Sequence, residues 1–213
     1  MYITSDGTMQ AGVSWAIILA AGNSTRMGIC KAGLPWLDGK TLLGYQVQQW
    51  LSIGVIPVVV LGSHNTHRQQ DCPPETLIVI NPNSRTGNSS SIGVGLQQIP
   101  EFEVLVISAV DEPRPAWVYQ KLLKIHQERE ALITAPTYQE KMGHPLLFSK
   151  QLRSDLASIQ KVSLGLQKFV EDWQEQIQKV EIGTPVVLMD INTPTRYEAG
   201  REIFSKFLKE ENC

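Results

Sequence analysis

The chain has few cysteines, no marked excess of either charge, no long apolar run and no low-complexity stretch. Its three cysteines (Cys30, Cys72, Cys213) are odd in number and none falls in a CxxC spacing. That supports neither a disulfide framework nor a zinc knuckle, and a reducing cytoplasm is the default location. The formal net charge is only −2, which disfavours a nucleic-acid binder, whose basic residues cluster in excess. A small anionic ligand stays open, because its site needs only a few placed cations and backbone amides. No apolar run approaches the length needed to cross a bilayer, so no membrane partner is expected. Met1 to Gly12 is polar and lacks the basic and apolar regions of a signal peptide. Residues 1–13 read as a disordered leader, with Met9 as an alternative start, and residues 14–213 as one domain with a sizeable core.

What is present is an alternation of short apolar runs with amphipathic segments, the pattern of parallel strands joined by crossover helices. Ser14 to Ala20 is continuous, apolar and too short for a helix, so it reads as a buried first strand. Thr41 caps a helical pattern through Gly54, with Leu42, Leu43, Val47, Trp50 and Leu51 on one face. Strands are predicted at Ile56 to Leu61, Thr76 to Ile80, Val104 to Ala109, Ala131 to Ala135 and Pro145 to Phe148. Two more are predicted at Ile177 to Glu181 and Pro185 to Leu188. Helices are predicted at Ser90 to Gln98, from near Pro115, at Ser163 to Trp173 and at Thr195 to Leu208. The expected fold is a single doubly wound α/β domain with a mostly parallel sheet.

Ligands of open α/β sheets gather at the carboxyl ends of strands. The first such end here is Leu19-Ala20-Ala21-Gly22-Asn23-Ser24-Thr25-Arg26-Met27-Gly28, with Lys31 shortly after. Small residues at Ala20, Ala21 and Gly22 let backbone amides approach a ligand, and consecutive amides in such a turn form a nest for phosphate oxygens. Arg26 can fork onto phosphates, and Lys31 offers a compact charge for an α-phosphate and a leaving pyrophosphate. The string is neither a Walker loop nor GxGxxG, so it does not point to a nicotinamide-dependent oxidoreductase. Asp111 follows the VLVISA strand, where a carboxylate reaches a cleft and suits Mg²⁺, which uses one or two carboxylates plus substrate phosphates. The same carboxylate would also favour the start of the following helix. Asn192, before Thr193-Pro194, suits a turn as well as a metal site. His64 and His67 lie three residues apart in a polar loop without a third ligand type nearby, which argues against a metal.

The string LAAGNSTRMGICK resembles the LAAGxSxRMGxxK signature of the MobA-like NTP transferases, relatives of the sugar-nucleotide pyrophosphorylases. Gly87-Asn88-Ser89-Ser90-Ser91-Ile92 is similar to that family's GMGSSL turn, and Val110-Asp111-Glu112-Pro113 to its DxP motif. Gly143-His144-Pro145 is similar to its GHP segment, and Asp190-Ile191-Asn192-Thr193-Pro194 to its closing D-x-[DN]-T-P motif. Five motifs in order are far more specific than one. The resemblance implies a fold of nucleotide-diphospho-sugar transferase type that binds an NTP and Mg²⁺. It puts Ala20, Ala21 and Gly22 at the base and ribose, with Leu19, Ser24 and Ser90 also on the nucleotide side. Arg26 and Lys31 would meet the phosphates, Asp111 the metal, with Asn192 or Asp190 completing its environment. His144 would lie near the base or the acceptor. There are two departures: Gly33 stands where leucine is frequent, and Gly93 where arginine is frequent, the second removing a side chain that the resemblance would offer to the acceptor.

The implied reaction is attack by an acceptor phosphate on the NTP α-phosphorus, with pyrophosphate leaving. An LAAG turn with a GHP segment resembles the members that make molybdopterin cytosine dinucleotide. CTP and molybdopterin are therefore the expected substrates, with a transient molybdoenzyme as a downstream partner. GTP-dependent molybdopterin guanylyltransferase is the runner-up, followed by transfer to sugar or alcohol phosphates. A silent nucleotide sensor or cofactor chaperone is the non-enzymatic alternative.

Overall fold

The continuous apolar runs Ser14–Leu19 and Val104–Ala109 become strands covered on both faces, because period-two alternation divides their side chains between two helical layers. The structure, a computed structural model, describes residues 12–159 and 165–210. The expected leader lies outside the described residues but for Gly12 and Val13, as do Ser163, Leu164 and Cys213. Eight strands form one sheet: β1 (Ser14–Leu19), β2 (Ile56–Gly62), β3 (Leu77–Asn81), β4 (Val104–Ala109), β5 (Ile133–Tyr138), β6 (Lys141–Met142), β7 (Leu146–Ser149) and β8 (Ile177–Glu181). Their order is β3-β2-β1-β4-β7-β5-β6, with β8 paired to β5. Strands β1 to β4 are mutually parallel, and so are β5 and β8. β7 alone runs against both its neighbours, β4 and β5, and β6 closes a short antiparallel hairpin on β5.

The helices are α1 (Leu42–Leu51), α2 (Asn88–Gln97), α3 (Ala116–Glu128), α4 (Arg153–Ser158), α5 (Gly165–Asp172) and α6 (Pro194–Glu210). Ala16, Ile18 and Ala20 of the first strand and its exit face α1, α3 and α6, where Leu42, Val47, Trp50, Val118, Leu122 and Phe204 pack. Trp15, Ile17, Leu19 and Ala21 face the other layer, with Ile92, Leu96, Leu156 and Phe169 from α2, α4 and α5. The Thr41 hydroxyl accepts from the Gly44 amide at 3.1 Å, the N-cap the sequence predicts for α1. The rings of Trp50 and Tyr119 stack with centroids 3.6 Å apart and join α1 to α3.

Two of the segments that differ from the sequence reading have a plain physical cause. Pro185–Leu188, predicted as a strand, is a 3₁₀ turn. The Thr184 side chain caps it by accepting from the Val186 amide, and Pro185 has no amide to give to a sheet ladder. Its valines are apolar for a different reason: Val186 and Val187 fill the core under the first face. Strand β5 begins at Ile133 instead of Ala131, because Ala131 still donates to the His126 carbonyl at the end of α3.

The connections create the cleft. β1 passes through α1 to β2 on one side, whereas β3 passes through α2 to β4 on the other side of β1. The carboxyl ends of β1 and β4 therefore feed chains in opposite directions, and a crevice opens between them.

Candidate functional site

The turn leaving β1 is built from its backbone outward. The Ala20 amide continues the sheet by donating to the Val60 carbonyl at 2.9 Å. Its own carbonyl accepts from Asn65 Nδ2 at 2.9 Å, while Asn65 Oδ1 accepts from the Gly62 amide at 2.9 Å. Asn65 is 1% exposed, so one buried amide ties the exits of β1 and β2 together. Beyond it, Ser24 adopts a left-handed φ of 51°, and its carbonyl accepts from the Met27 and Gly28 amides. The Ser24 hydroxyl accepts from the Lys31 amide at 3.0 Å. Ala20 and Ala21 are buried, Gly22 and Arg26 are exposed, and Leu19 packs in the core while its carbonyl accepts from Val110. The turn thus holds the start of the Lys31 segment in a fixed place.

Lys31 is the centre of the crevice. Its Nζ lies 2.6 Å from Asp111 Oδ2 and 2.7 Å from Asn192 Oδ1, and Arg26 donates to that same Asn192 oxygen at 3.3 Å. The Lys31 and Asp111 side chains are 14% and 15% exposed, so their attraction is screened less than that of a surface pair. The Ile191 amide donates to the Asp111 carbonyl at 2.7 Å, which draws the closing segment onto the β4 exit. Four residues singled out from separate motifs, Arg26, Lys31, Asp111 and Asn192, are brought together across the β1–β4 switch point. Asp190 is turned aside into an ion pair with Arg196. Partial burial acts to raise the Asp190 carboxyl, but Arg196, Asn192 and Lys31 outweigh it and hold it below the usual carboxylate range.

Beside this centre lies a buried cation that sequence reasoning missed. Arg114 is 1% exposed and donates to the carbonyls of Pro113 (2.7 Å), His144 (3.1 Å) and Val187 (2.9 Å). It clamps the β4 exit, the loop before β7 and the 3₁₀ turn that leads to Asn192. Glu112 is pushed above its usual pKa by burial, opposed by His144 and Arg114, and its carboxylate approaches His144 Nε2 at 3.7 Å. Nothing in Asp-Glu-Pro-Arg-Pro signals that the arginine faces inward. Replacing it by methionine keeps the length but takes the Arg114 donor from the Pro113 and His144 carbonyls, while the Val187 carbonyl keeps the His144 amide. Arg114→Met is therefore expected to cost about 3 kcal/mol of stability. Urea denaturation checks this, and a midpoint equal to wild type would show that the clamp carries no stability.

Two more buried amides frame the site. Gln46 Nε2, on the apolar face of α1, donates to Ser108 Oγ and to the Ala109 and Glu112 carbonyls at 3.1, 2.9 and 3.1 Å. A glutamine between Leu43 and Val47 on a buried stripe is the signal that would have revealed it. Asn81 at the end of β3 donates to the Ser90 and Ser91 hydroxyls at 3.1 and 3.0 Å, which sets the first turn of α2 behind Gly87. Ser90 therefore stands at the α2 amino end with its hydroxyl oriented by Asn81. Among the described residues, no group of three or more His, Cys, Asp and Glu side chains is arranged to hold a metal ion, and no helix is long and apolar enough to cross a membrane.

A family model described as the MobA-like NTP transferase domain matches residues 16–179. The molybdenum cofactor cytidylyltransferase of Escherichia coli (strain K12) is 24% identical over 193 residues, spanning 89% of this chain and 96% of the relative. The solved structure of a nucleotidyl transferase from Methanothermobacter is similar with a TM-score of 0.76 at 20% identity, over 92% of this chain and all (100%) of that one. The structure of Rv0371c from Mycobacterium tuberculosis H37Rv in complex with manganese is similar with a TM-score of 0.75 at 22% identity, over 91% of this chain and 100% of that one. The mostly parallel sheet flanked by helices is the fold shared by such nucleotidyltransferases.

Proposed function

The chain belongs to the MobA-like NTP transferase family, and from that premise we propose that it transfers CMP from CTP to the terminal phosphate of molybdopterin and releases pyrophosphate. The observation that carries the reading is the convergence of Lys31, Asp111, Asn192 and Arg26 at the switch-point crevice. Joining two anions requires charge neutralisation and alignment more than a protein nucleophile. An acceptor phosphate oxygen forms a bond to the α-phosphorus as the bond to the bridging β-phosphate oxygen breaks, and pyrophosphate takes that electron pair. Lys31 and Arg26 offset the charge that builds on the α-phosphate and on the leaving pyrophosphate. The β1 exit turn offers exposed backbone at Gly22, where no neighbouring atom would meet an added Cβ within 4 Å.

The donor set fits Mg²⁺. Oxygens of Asp111 and Asn192 both close on one positive nitrogen, the Lys31 ammonium, so the pair is already arranged around a cation, and both oxygens are hard ligands. When bound there, Mg²⁺ would supply a Lewis acid for phosphate oxygens. Asp111 and Asn192 hold it in this reading, and Asp190 stays with Arg196.

CTP is favoured over GTP because Ala21 adds a methyl group at the base-side turn, and because the E. coli relative is a cytidylyltransferase. His144, at the rim beside Glu112, lies on the acceptor side in this reading. The product would pass to a molybdoenzyme. Measuring kcat/KM for CTP and GTP with molybdopterin as the acceptor tests the choice of base. The expected result is a preference for CTP of at least about tenfold. A preference for GTP would replace the reading with guanylyl transfer. NTP binding without pyrophosphate release would make the protein a nucleotide sensor.

A further inference from the structure

His64, excluded as a metal ligand by its surroundings in sequence, sits in a place that gives it another use. Gly62 ends β2, and a Cβ added there would meet His64 Cε1 at 2.6 Å, Nδ1 at 2.8 Å and Ser84 Oγ at 2.9 Å. The imidazole therefore folds back over the end of its own strand into the space a side chain at position 62 would take. The backbone beneath the ring is fixed, because Asn65 accepts from the Gly62 amide and donates to the Ala20 carbonyl. The ring itself is exposed.

Strand register says what lies alongside. Leu19 pairs with Val60 and the Ala20 amide adds one more ladder bond to the Val60 carbonyl, so Ala21, just past β1, and Gly62, the last residue of β2, follow on adjacent chains. Leu19, Ala21, Val58 and Val60 face the α2 layer, and by alternation position 62 faces it too. On the same side, Asn81 orients Ser90 at the α2 amino end, and the 3₁₀ turn Ser84–Thr86 brings Ser84 Oγ to the same space over Gly62 that the His64 ring occupies. Ala21, His64, Ser84 and Ser90 thus lie around the carboxyl ends of β1 to β3. A flat imidazole with an exposed face suits a flat aromatic ligand.

We propose that His64 is a nucleobase platform: its imidazole, lying over Gly62, stacks against the base of the NTP beside Ala21. This rests on the nucleotidyltransferase reading and deepens it by giving the base a side-chain contact besides the backbone of the β1 turn. Stacking is tolerant of base identity, so His64 sets affinity for the nucleoside half and leaves the choice between CTP and GTP to hydrogen bonds.

The test is calorimetric titration of the full chain with CTP and, separately, with inorganic tripolyphosphate, both with Mg²⁺, for wild type, His64→Ala and His64→Phe. His64→Ala is expected to weaken CTP about tenfold, within the range of base–aromatic stacking, and to leave tripolyphosphate unchanged. His64→Phe, which keeps a flat ring, is expected to recover most of the CTP affinity. Wild-type CTP affinity in a folded His64→Ala protein would overturn the platform and leave the transferase reading standing. An equal loss of CTP and tripolyphosphate would overturn it as well, since the residue would then act through the fold. A wild-type chain that takes tripolyphosphate but gains nothing from the nucleoside would overturn both readings.

Discussion

Asp111→Asn is expected to lower turnover by on the order of 10³-fold, the scale seen when one preorganised electrostatic group is removed from a transition state. The substitution barely changes volume. The contact that anchors the segment, from the Ile191 amide to the Asp111 carbonyl, is made by backbone and survives it. What disappears is the carboxylate paired with Lys31 Nζ at 2.6 Å, and with it the negative charge that would hold Mg²⁺. The unfolding free energy should stay within about 2 kcal/mol of wild type, because asparagine keeps an oxygen that can accept from Lys31. A Mg²⁺ titration of pyrophosphate release checks the prediction. A folded variant with the wild-type rate throughout would remove Asp111 from the site.

Lys31→Ala is expected to lower kcat by on the order of 10²-fold while CTP binding weakens only a few-fold, because in the proposed reaction the ammonium meets charge that grows in the transition state. The geometry limits side effects: the Lys31 amide still donates to the Ser24 hydroxyl, so the turn keeps its shape without the side chain. Asn192 retains Arg26 as a donor at 3.3 Å, which keeps the closing segment in place. Calorimetry with CTP and single-turnover rates separate the two effects. Lost affinity with an unchanged kcat would make Lys31 a binding residue alone.

The sheet was legible in the sequence because its central strands, such as β1 and β4, are apolar on both faces and bounded by turn residues. Where burial and strand formation part company, the reading failed. Val186 and Val187 are buried without pairing in a sheet, since Thr184 and Pro185 start a 3₁₀ turn that fills the core with the same side chains. The reversal of β7 between β4 and β5 is likewise silent, because period-two apolarity does not encode strand direction. In the site, Arg26, Lys31, Asp111 and Asn192 were accessible through motif spacing, and the fold explains their meeting: Arg26 and Lys31 follow β1, Asp111 follows β4, and the Ile191 amide draws the segment carrying Asn192 onto the β4 exit. The residues that hold them were not accessible. Arg114 reads as an ordinary surface cation until three backbone carbonyls close around it. Asn65 reads as a loop asparagine until its amide is found bridging Gly62 and Ala20.

The central claim is that this chain joins a nucleotide to a phosphorylated acceptor at the Lys31–Asp111–Asn192 crevice. Its most direct test is pyrophosphate release from CTP in the presence of Mg²⁺, with and without molybdopterin, for wild type and Asp111→Asn side by side. The account predicts pyrophosphate in proportion to dinucleotide formed, only when CTP and molybdopterin are both present, and close to none from the variant. Release of pyrophosphate that ignores the acceptor, or that persists in Asp111→Asn, would contradict it.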